Sequence, residues 1–225
     1  MRLKGCWGSC AIGSGGGCHE SVICSGATKQ FNGLLAVEDV SFEIPEGQVC
    51  ALIGPNGAGK TTLVGMLSGR IAPSSGHVTF DGKDVTAWPA HKRIAAGMGY
   101  TFQITSVFPN LSVRENVALA ARRKFSGTSE VENAVNTSLK RVGLIAFRAE
   151  EAGGLSYGHQ RLLEIAMGLA QAPKLLILDE PTQGLADSEV VAFNQLILEL
   201  AAKTTILLIE HNMDVVMQVA DFVTV

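Results

Sequence analysis

No stretch of this 225-residue sequence approaches the roughly 18 to 20 consecutive apolar residues that a membrane-spanning helix needs. The longest strictly apolar segments, such as Ile206 to Ile209, have the length of buried strands. If the protein serves a membrane process, other chains must supply the spans. A basic excess is also missing: 18 Lys and Arg against 21 Asp and Glu leave a net charge of −3, which argues against a nucleic-acid partner. The five cysteines, at 6, 10, 18, 24 and 50, are odd in number and form no regular framework, as expected of reduced thiols. Cys6, Cys10 and Cys18 match the spacing of no common metal site. The opening MRLKG is followed by Gly and Ser rather than by a Leu-rich stretch, so a signal peptide is not expected. No internal repeat is visible.

What is present suits one large α/β domain. Length and a hydrophobic content of 47% are enough for a proper core. Residues 1–19, with Gly13 and Gly15 to Gly17 close together, read as a flexible tail, and order is expected from about Ser21. Val40, Phe42 and Ile44 alternate with polar residues, the pattern of a half-buried strand, and Glu46-Gly47 then turns the chain. Val49 to Ile53 reads as a buried strand. Val78 and Phe80 alternate ahead of Asp81-Gly82, a hairpin signal. Residues 112–172 are mostly helical in pattern, and Ser112 with Glu115 three positions on predicts a capping box. After that the pattern predicts a strand (175–179), a helix (188–202), a strand (205–210) and a helix (212–219), with a further strand at the end. Strands alternating with helices predict a mainly parallel sheet covered on both faces.

Two segments carry chemistry. Gly54 to Thr62 reads GPNGAGKTT, follows a buried strand and precedes a helical pattern. In that context Gly54, Asn56, Gly57 and Gly59 let backbone N–H groups curl around phosphate oxygens, and the helix N-terminus adds partial positive charge. Lys60 can reach the β- and γ-phosphates, and the Thr61 hydroxyl can bind Mg²⁺. Leu175 to Glu180 reads LLILDE, a buried strand that delivers two acids at its carboxyl end, where α/β sheets bind ligands. Asp179 would hold Mg²⁺ through water, and Glu180 would orient and deprotonate an attacking water. Alone, either segment has a plain reading, a glycine turn or a strand ending in a solvated acidic turn. Together they indicate a P-loop ATPase.

Three further features decide which kind. Leu155 to Gln160 reads LSYGHQ, ahead of a helix with Leu162, Leu163, Ile165, Ala166 and Leu169 on its apolar side. It resembles the LSGGQ signature of ABC ATPases. Gln103, after Thr101-Phe102 at a strand end, resembles that family's Q-loop. His211, after ILLIE, resembles its H-loop. Singly, a Gln after a strand is ordinarily polar surface, a lone His is ordinarily structural, and Ser-Tyr-Gly is an ordinary helix entry. In order and spacing all five motifs match, and the resemblance covers about residues 21 to 225.

The resemblance implies a P-loop core of ABC type. It has a mainly parallel sheet, an N-terminal antiparallel β region and a helical subdomain over about 104–172, within one domain spanning 20–225. It implies ATP and Mg²⁺ as ligands and a head-to-tail pair of subunits with two shared nucleotides. Lys60, Thr61, Thr62 and the loop amides would bind one nucleotide, while Ser156 and Gly158 would reach the γ-phosphate held by the partner. Gln103 would contact Mg²⁺, and His211 would hold the γ-phosphate. Phe31, 23 positions before Gly54, stands where the family places an aromatic that stacks on adenine; the alternative is a core residue. Permease subunits, indirectly a solute-binding protein, and a location at the cytoplasmic face of the cell membrane are implied as well. Ile104, Val107, Phe108 and Leu111 would form a permease-docking surface, or else pack the base of the helical region.

LSYG, QGLA and IEHNMDVV are similar to the ATP subunits of branched-chain amino acid importers and their urea or amide relatives. An ABC exporter subunit, or a soluble ABC ATPase of translation or DNA maintenance, is the alternative; the soluble kind usually carries two nucleotide domains or long coiled coils, which are absent here. Departures from the family pattern are Tyr157 for a glycine, His159 for a glutamine, Ala186 for an aspartate, and Tyr100 for a basic residue. Members normally continue past the last strand, so the resemblance reads the C-terminal end as truncated and the Cys/Gly-rich start as atypical.

Overall fold

A computed structural model of the chain describes residues 20–101 and 106–225. The expected tail, with Cys6, Cys10 and Cys18, and the positions of Phe102, Gln103 and Ile104 lie outside the described residues.

Two sheets meet across one core. The first is antiparallel. Strands β1 (Glu20–Phe31) and β2 (Leu34–Pro45) form a long hairpin, and β4 (Ser75–Phe80) with β5 (Lys83–Asp84) forms a short one, in the order β2-β1-β4-β5. Both hairpins turn on two residues of positive φ, Asn32-Gly33 and Asp81-Gly82, whose backbone twist matches that of the flanking strands. The second sheet is parallel and comprises β3 (Val49–Leu52), β6 (Met98–Thr101), β7 (Leu175–Asp179), β8 (Thr205–Ile209) and β9 (Phe222–Thr224), ordered β6-β7-β8-β3-β9.

Successive side chains of a strand face opposite sides, and both faces of the parallel sheet are buried. Leu175, Ile177, Leu207, Ile209, Cys50 and Leu52 pack toward the antiparallel sheet and helix α1 (Lys60–Leu67). Leu176, Leu178, Ile206 and Leu208 pack toward the helices that follow: α3 (Val113–Ala121), α4 (Thr128–Arg141), α5 (Tyr157–Leu169), α6 (Asp187–Ala201) and α7 (Met213–Val219). Helices α3, α4 and α5 pack on one another. In α4 the inward stripe is Val131, Val135 and Leu139, spaced one turn apart. The Ser112–Glu115 capping box forms as the sequence predicts: Ser112 Oγ accepts from the Glu115 amide at 3.2 Å, and Glu115 Oε2 accepts from the Ser112 amide at 2.8 Å.

A buried arginine fixes the helix on which the phosphate loop sits. Arg93, on α2 (Ala90–Ala96), is 1% exposed and donates to the carbonyls of Met66 (2.7 Å), Leu67 (2.6 Å), Thr86 (2.9 Å) and Trp88 (3.0 Å). Met66 and Leu67 close α1, so the cation lies where the helix dipole is negative and its last carbonyls need donors. Burial pushes the Arg93 guanidinium's affinity for its proton down, against the pull of Asp84.

Candidate nucleotide site

Strand register brings the sequence motifs to one edge. Thr101 pairs with Leu178 and Leu178 with Leu208; one step further on, Asp179 pairs with Ile209 and Ile209 with Leu52. The carboxyl ends of β6, β7, β8 and β3 are therefore level. The glycine loop leaves after β3, Asp179 and Glu180 end β7, and Glu210 and His211 follow β8. Gln103 follows β6 in sequence, outside the described residues.

The loop is set by close approach. Gly59 has φ 90°, and a Cβ there would lie 2.5 Å from the Ala36 carbonyl oxygen of β2. Only glycine fits, and α1 consequently starts without a side-chain cap, leaving its first amides for a ligand. Lys60 is 7% exposed and its ammonium donates back to the Gly54 and Pro55 carbonyls at 2.5 and 2.9 Å. Among the described residues it forms no ion pair with a carboxylate. A buried ammonium beside uncapped helix amides is a cradle with positive charge, and it suits a phosphate. Thr61 is exposed and Thr62 half-buried, and Asn56 and Gly57 are exposed at the loop's crest.

Asp179 shares a strand face with Ile177, so its carboxylate emerges on the side of α1. Asp179 Oδ2 accepts from the Tyr100 hydroxyl at 2.9 Å. Burial raises Asp179 above the usual carboxylate range, with the Tyr100 bond acting against it. Burial and the adjacent Asp179 charge push the Tyr100 phenol up to about 12. Glu180 leaves the strand in a left-handed conformation, φ 47°, rarely taken by a residue with a side chain. Its amide is fixed by the Ile209 carbonyl at 2.9 Å.

Several residues that hold this edge were not singled out in the sequence. Glu210 is 0% exposed; its Oε1 accepts from the Thr182 amide (3.0 Å) and hydroxyl (2.6 Å), and its Oε2 from the His211 amide (3.2 Å). It ties the turn after Glu180 to the turn bearing His211, whose side chain is exposed. On α5, Arg161 and Glu164 form a buried pair at 2.8 Å; Glu164 also accepts from the Ser106 amide, and Arg161 donates to the Glu180 carbonyl at 3.4 Å. The spacing of three between opposite charges was the available signal, but the same spacing usually marks a solvated helix face.

The signature segment lies at the start of α5. Ser156 caps the helix, its Oγ accepting from the His159 amide at 3.2 Å, and is exposed. A Cβ on Gly158 would meet the Glu189 carboxylate of α6, the far end of a flexible side chain that would have to move aside. His159, the family's glutamine position, lays its ring against Phe147 at 4.7 Å between centroids. Phe31 is 42% exposed at the tip of the first hairpin, with the Lys29 ammonium 5.1 Å from its ring centroid. It is not a core residue.

The comparisons identify the family. The model of the family described as ABC transporter matches residues 37–183. The chain is 37% identical to the high-affinity branched-chain amino acid transport ATP-binding protein BraF of Pseudomonas aeruginosa, over 89% of this chain and 86% of that one. It is 38% identical to the LivG protein of the same description from Salmonella typhimurium, over 88% and 84%. A crystal structure of the ADP conformation of an ATP-binding cassette of an ABC transporter superposes with a TM-score of 0.84 at 29% identity, covering 91% of this chain and 87% of that one. The chain belongs to the ABC transporter family, as one of its ATP-binding and ATP-hydrolysing subunits.

Proposed function

We propose that this chain powers uptake of branched-chain amino acids, or of urea or amides, from the cytoplasmic face of a membrane, hydrolysing Mg-ATP while paired with a second ATPase subunit and docked on permeases. The observation that carries the reading is the shared edge of the parallel sheet, where the glycine loop, Asp179, Glu180 and His211 leave adjacent strands. The names of the similar proteins supply branched-chain amino acids, and urea and amides rest on the resemblance of LSYG, QGLA and IEHNMDVV.

In this reading Lys60 gives up its loop carbonyls to meet the β- and γ-phosphates, and the first amides of α1, with Gly54, Asn56, Gly57, Gly59 and Thr62, complete the cradle. Phe31 stacks on the adenine. The Thr61 hydroxyl and the Asp179 carboxylate are hard oxygen donors that suit Mg²⁺, with Gln103 as a further ligand. Bound there, Mg²⁺ neutralises charge that builds on the phosphate oxygens. Glu180 accepts the proton of the water that attacks the γ-phosphorus, ADP leaves, and His211 holds the phosphoryl group. Ser156 and Gly158 face the nucleotide of the partner subunit.

Replacing Lys60 by Ala tests the site. A charge-assisted bond to phosphate is worth about 1.5–3 kcal/mol, so ATP affinity should fall about 10- to 100-fold. Wild-type affinity in an equilibrium titration with a fluorescent ATP analogue would remove the assignment.

Docking has a surface to use. A groove of about 490 Å³ lies between α2, β6, α3 and α5, lined by Tyr100, Ser106, Phe108, Leu119 and Met167. Phe108 is 52% exposed and Leu119 43%. Of the apolar residues expected there, Val107 instead packs on the helical core, so the surface rests on Phe108. Among the described residues no helix is long and apolar enough to cross a membrane. Phe108→Glu should abolish transport at normal subunit abundance and leave basal ATPase within about 2-fold, as expected for an exposed residue away from the chemistry. Unimpaired uptake in this variant would place the docking surface elsewhere.

A further inference from the structure

Tyr100 stands where related sequences were expected to carry a basic residue, and its hydroxyl reaches across to the next strand. Tyr100 of β6 pairs with Ile177 of β7, and Asp179 lies two positions further along the same face. A diagonal neighbour at that offset is within reach of an aromatic side chain, and the Tyr100 hydroxyl donates to Asp179 Oδ2 at 2.9 Å. The ring cannot swing freely. It is half-buried, and the Arg70 guanidinium carbon sits 5.2 Å from its centroid. The carboxylate is thus held by a group that is itself held.

We propose that Tyr100 is a positioning residue for Mg²⁺ in the nucleotide site, acting by fixing the orientation of Asp179. The inference rests on the reading that Asp179 serves Mg²⁺. An unheld carboxylate at a strand end samples several rotamers and must be ordered when the ion binds. One already anchored through a single oxygen keeps its other acceptor positions in place at no further entropic cost. A neutral phenol does this without adding a positive charge beside the ion, as a basic residue would. Groups that orient a metal-bound carboxylate typically affect metal affinity about 10- to 100-fold when removed.

The test is Tyr100→Phe, which deletes one hydroxyl and keeps the ring. The full chain, the variant and Asp179→Asn are each titrated with Mg²⁺ at fixed fluorescent ATP analogue. Nucleotide affinity is also measured in EDTA, and Mn²⁺ bound with ADP is followed by electron paramagnetic resonance. Tyr100→Phe should raise the half-saturating Mg²⁺ and Mn²⁺ concentrations about 10-fold or more, with affinity in EDTA unchanged. A wild-type metal requirement in Tyr100→Phe, beside a raised one in Asp179→Asn, overturns the role of Tyr100 and leaves the Asp179 reading intact. A wild-type requirement in Asp179→Asn overturns that reading and the inference with it. Equal loss of affinity with and without metal would make Tyr100 a packing residue only.

Discussion

Glu180→Gln is expected to slow phosphate release by about 100- to 10,000-fold while Mg-ATP still binds. Gln keeps the size and shape of the side chain but does not accept a proton from water at neutral pH. The strained backbone should not relax on substitution, because the residue is fixed from both sides. Its amide donates to the Ile209 carbonyl at 2.9 Å, and its carbonyl accepts from Gln183 at 3.3 Å and from Arg161 at 3.4 Å. Holding a left-handed residue costs about 1–3 kcal/mol, which the surrounding bonds must offset, and this favours a role for the position over an accident of the turn. Lys60, Thr61 and Asp179 are untouched, so nucleotide affinity should stay near wild type or rise with the loss of a negative charge. Uncleaved nucleotide should then hold two subunits together through Ser156 and Gly158. Phosphate release is read beside size-exclusion chromatography with and without Mg-ATP. Near-normal release would show that Glu180 is not the base. Slow release from a monomer would keep the base and count against the shared site.

The parts of this site that were legible in the sequence are those whose chemistry is local. A phosphate loop must have its glycines, lysine and hydroxyls within nine positions, because one turn of backbone makes the cradle. LLILDE is likewise complete in itself: a strand buried on both faces has to be apolar throughout and ends where its acids begin. The alternation in β2, the capping box at Ser112 and the helix stripe in α4 all follow from periods of 2 and 3.6 residues. Arg93, Glu210, the Arg161–Glu164 pair and the bond from Tyr100 to Asp179 were not legible. Their partners are backbone carbonyls, amides or carboxylates on other elements, and nothing in a one-dimensional pattern says which elements meet. Phe31 shows the intermediate case. In the sequence it stood either as an aromatic that stacks on adenine or as a core residue, and only the hairpin's position, with the residue 42% exposed, counts against the core.

Arg161→Met is expected to destabilise the fold by about 3–5 kcal/mol near neutral pH, and by less in mild acid. The two side chains of the Arg161–Glu164 pair are only 4% and 5% exposed, so removing the cation leaves a carboxylate in the interior of the helical layer. Burial already raises Glu164 above the usual carboxylate range. Its bonds to Arg161 and to the Ser106 amide restrain that rise. The sign follows from the direction. A folded-state value above the unfolded one, about 4.3, means the protonated form is favoured by folding, so the associated stability is complete below about pH 4 and is lost as pH rises through the folded value. Without Arg161 the folded value moves further up, and the loss continues over a wider range. The difference between variant and wild type should therefore grow from about pH 5 to about pH 7.5 in urea unfolding. Between Arg161→Met/Glu164→Gln and Glu164→Gln neither chain carries the carboxylate, and the dependence of their difference on pH should vanish. A destabilisation equal at both pH values in the single variant would mean that lost packing of the guanidinium, not the stranded charge, is what the fold feels. The same pair joins the segment after β6 to the turn that carries Glu180. Its loss should accordingly lower the rate of hydrolysis in whatever fraction remains folded, through the Glu180 carbonyl rather than through nucleotide affinity.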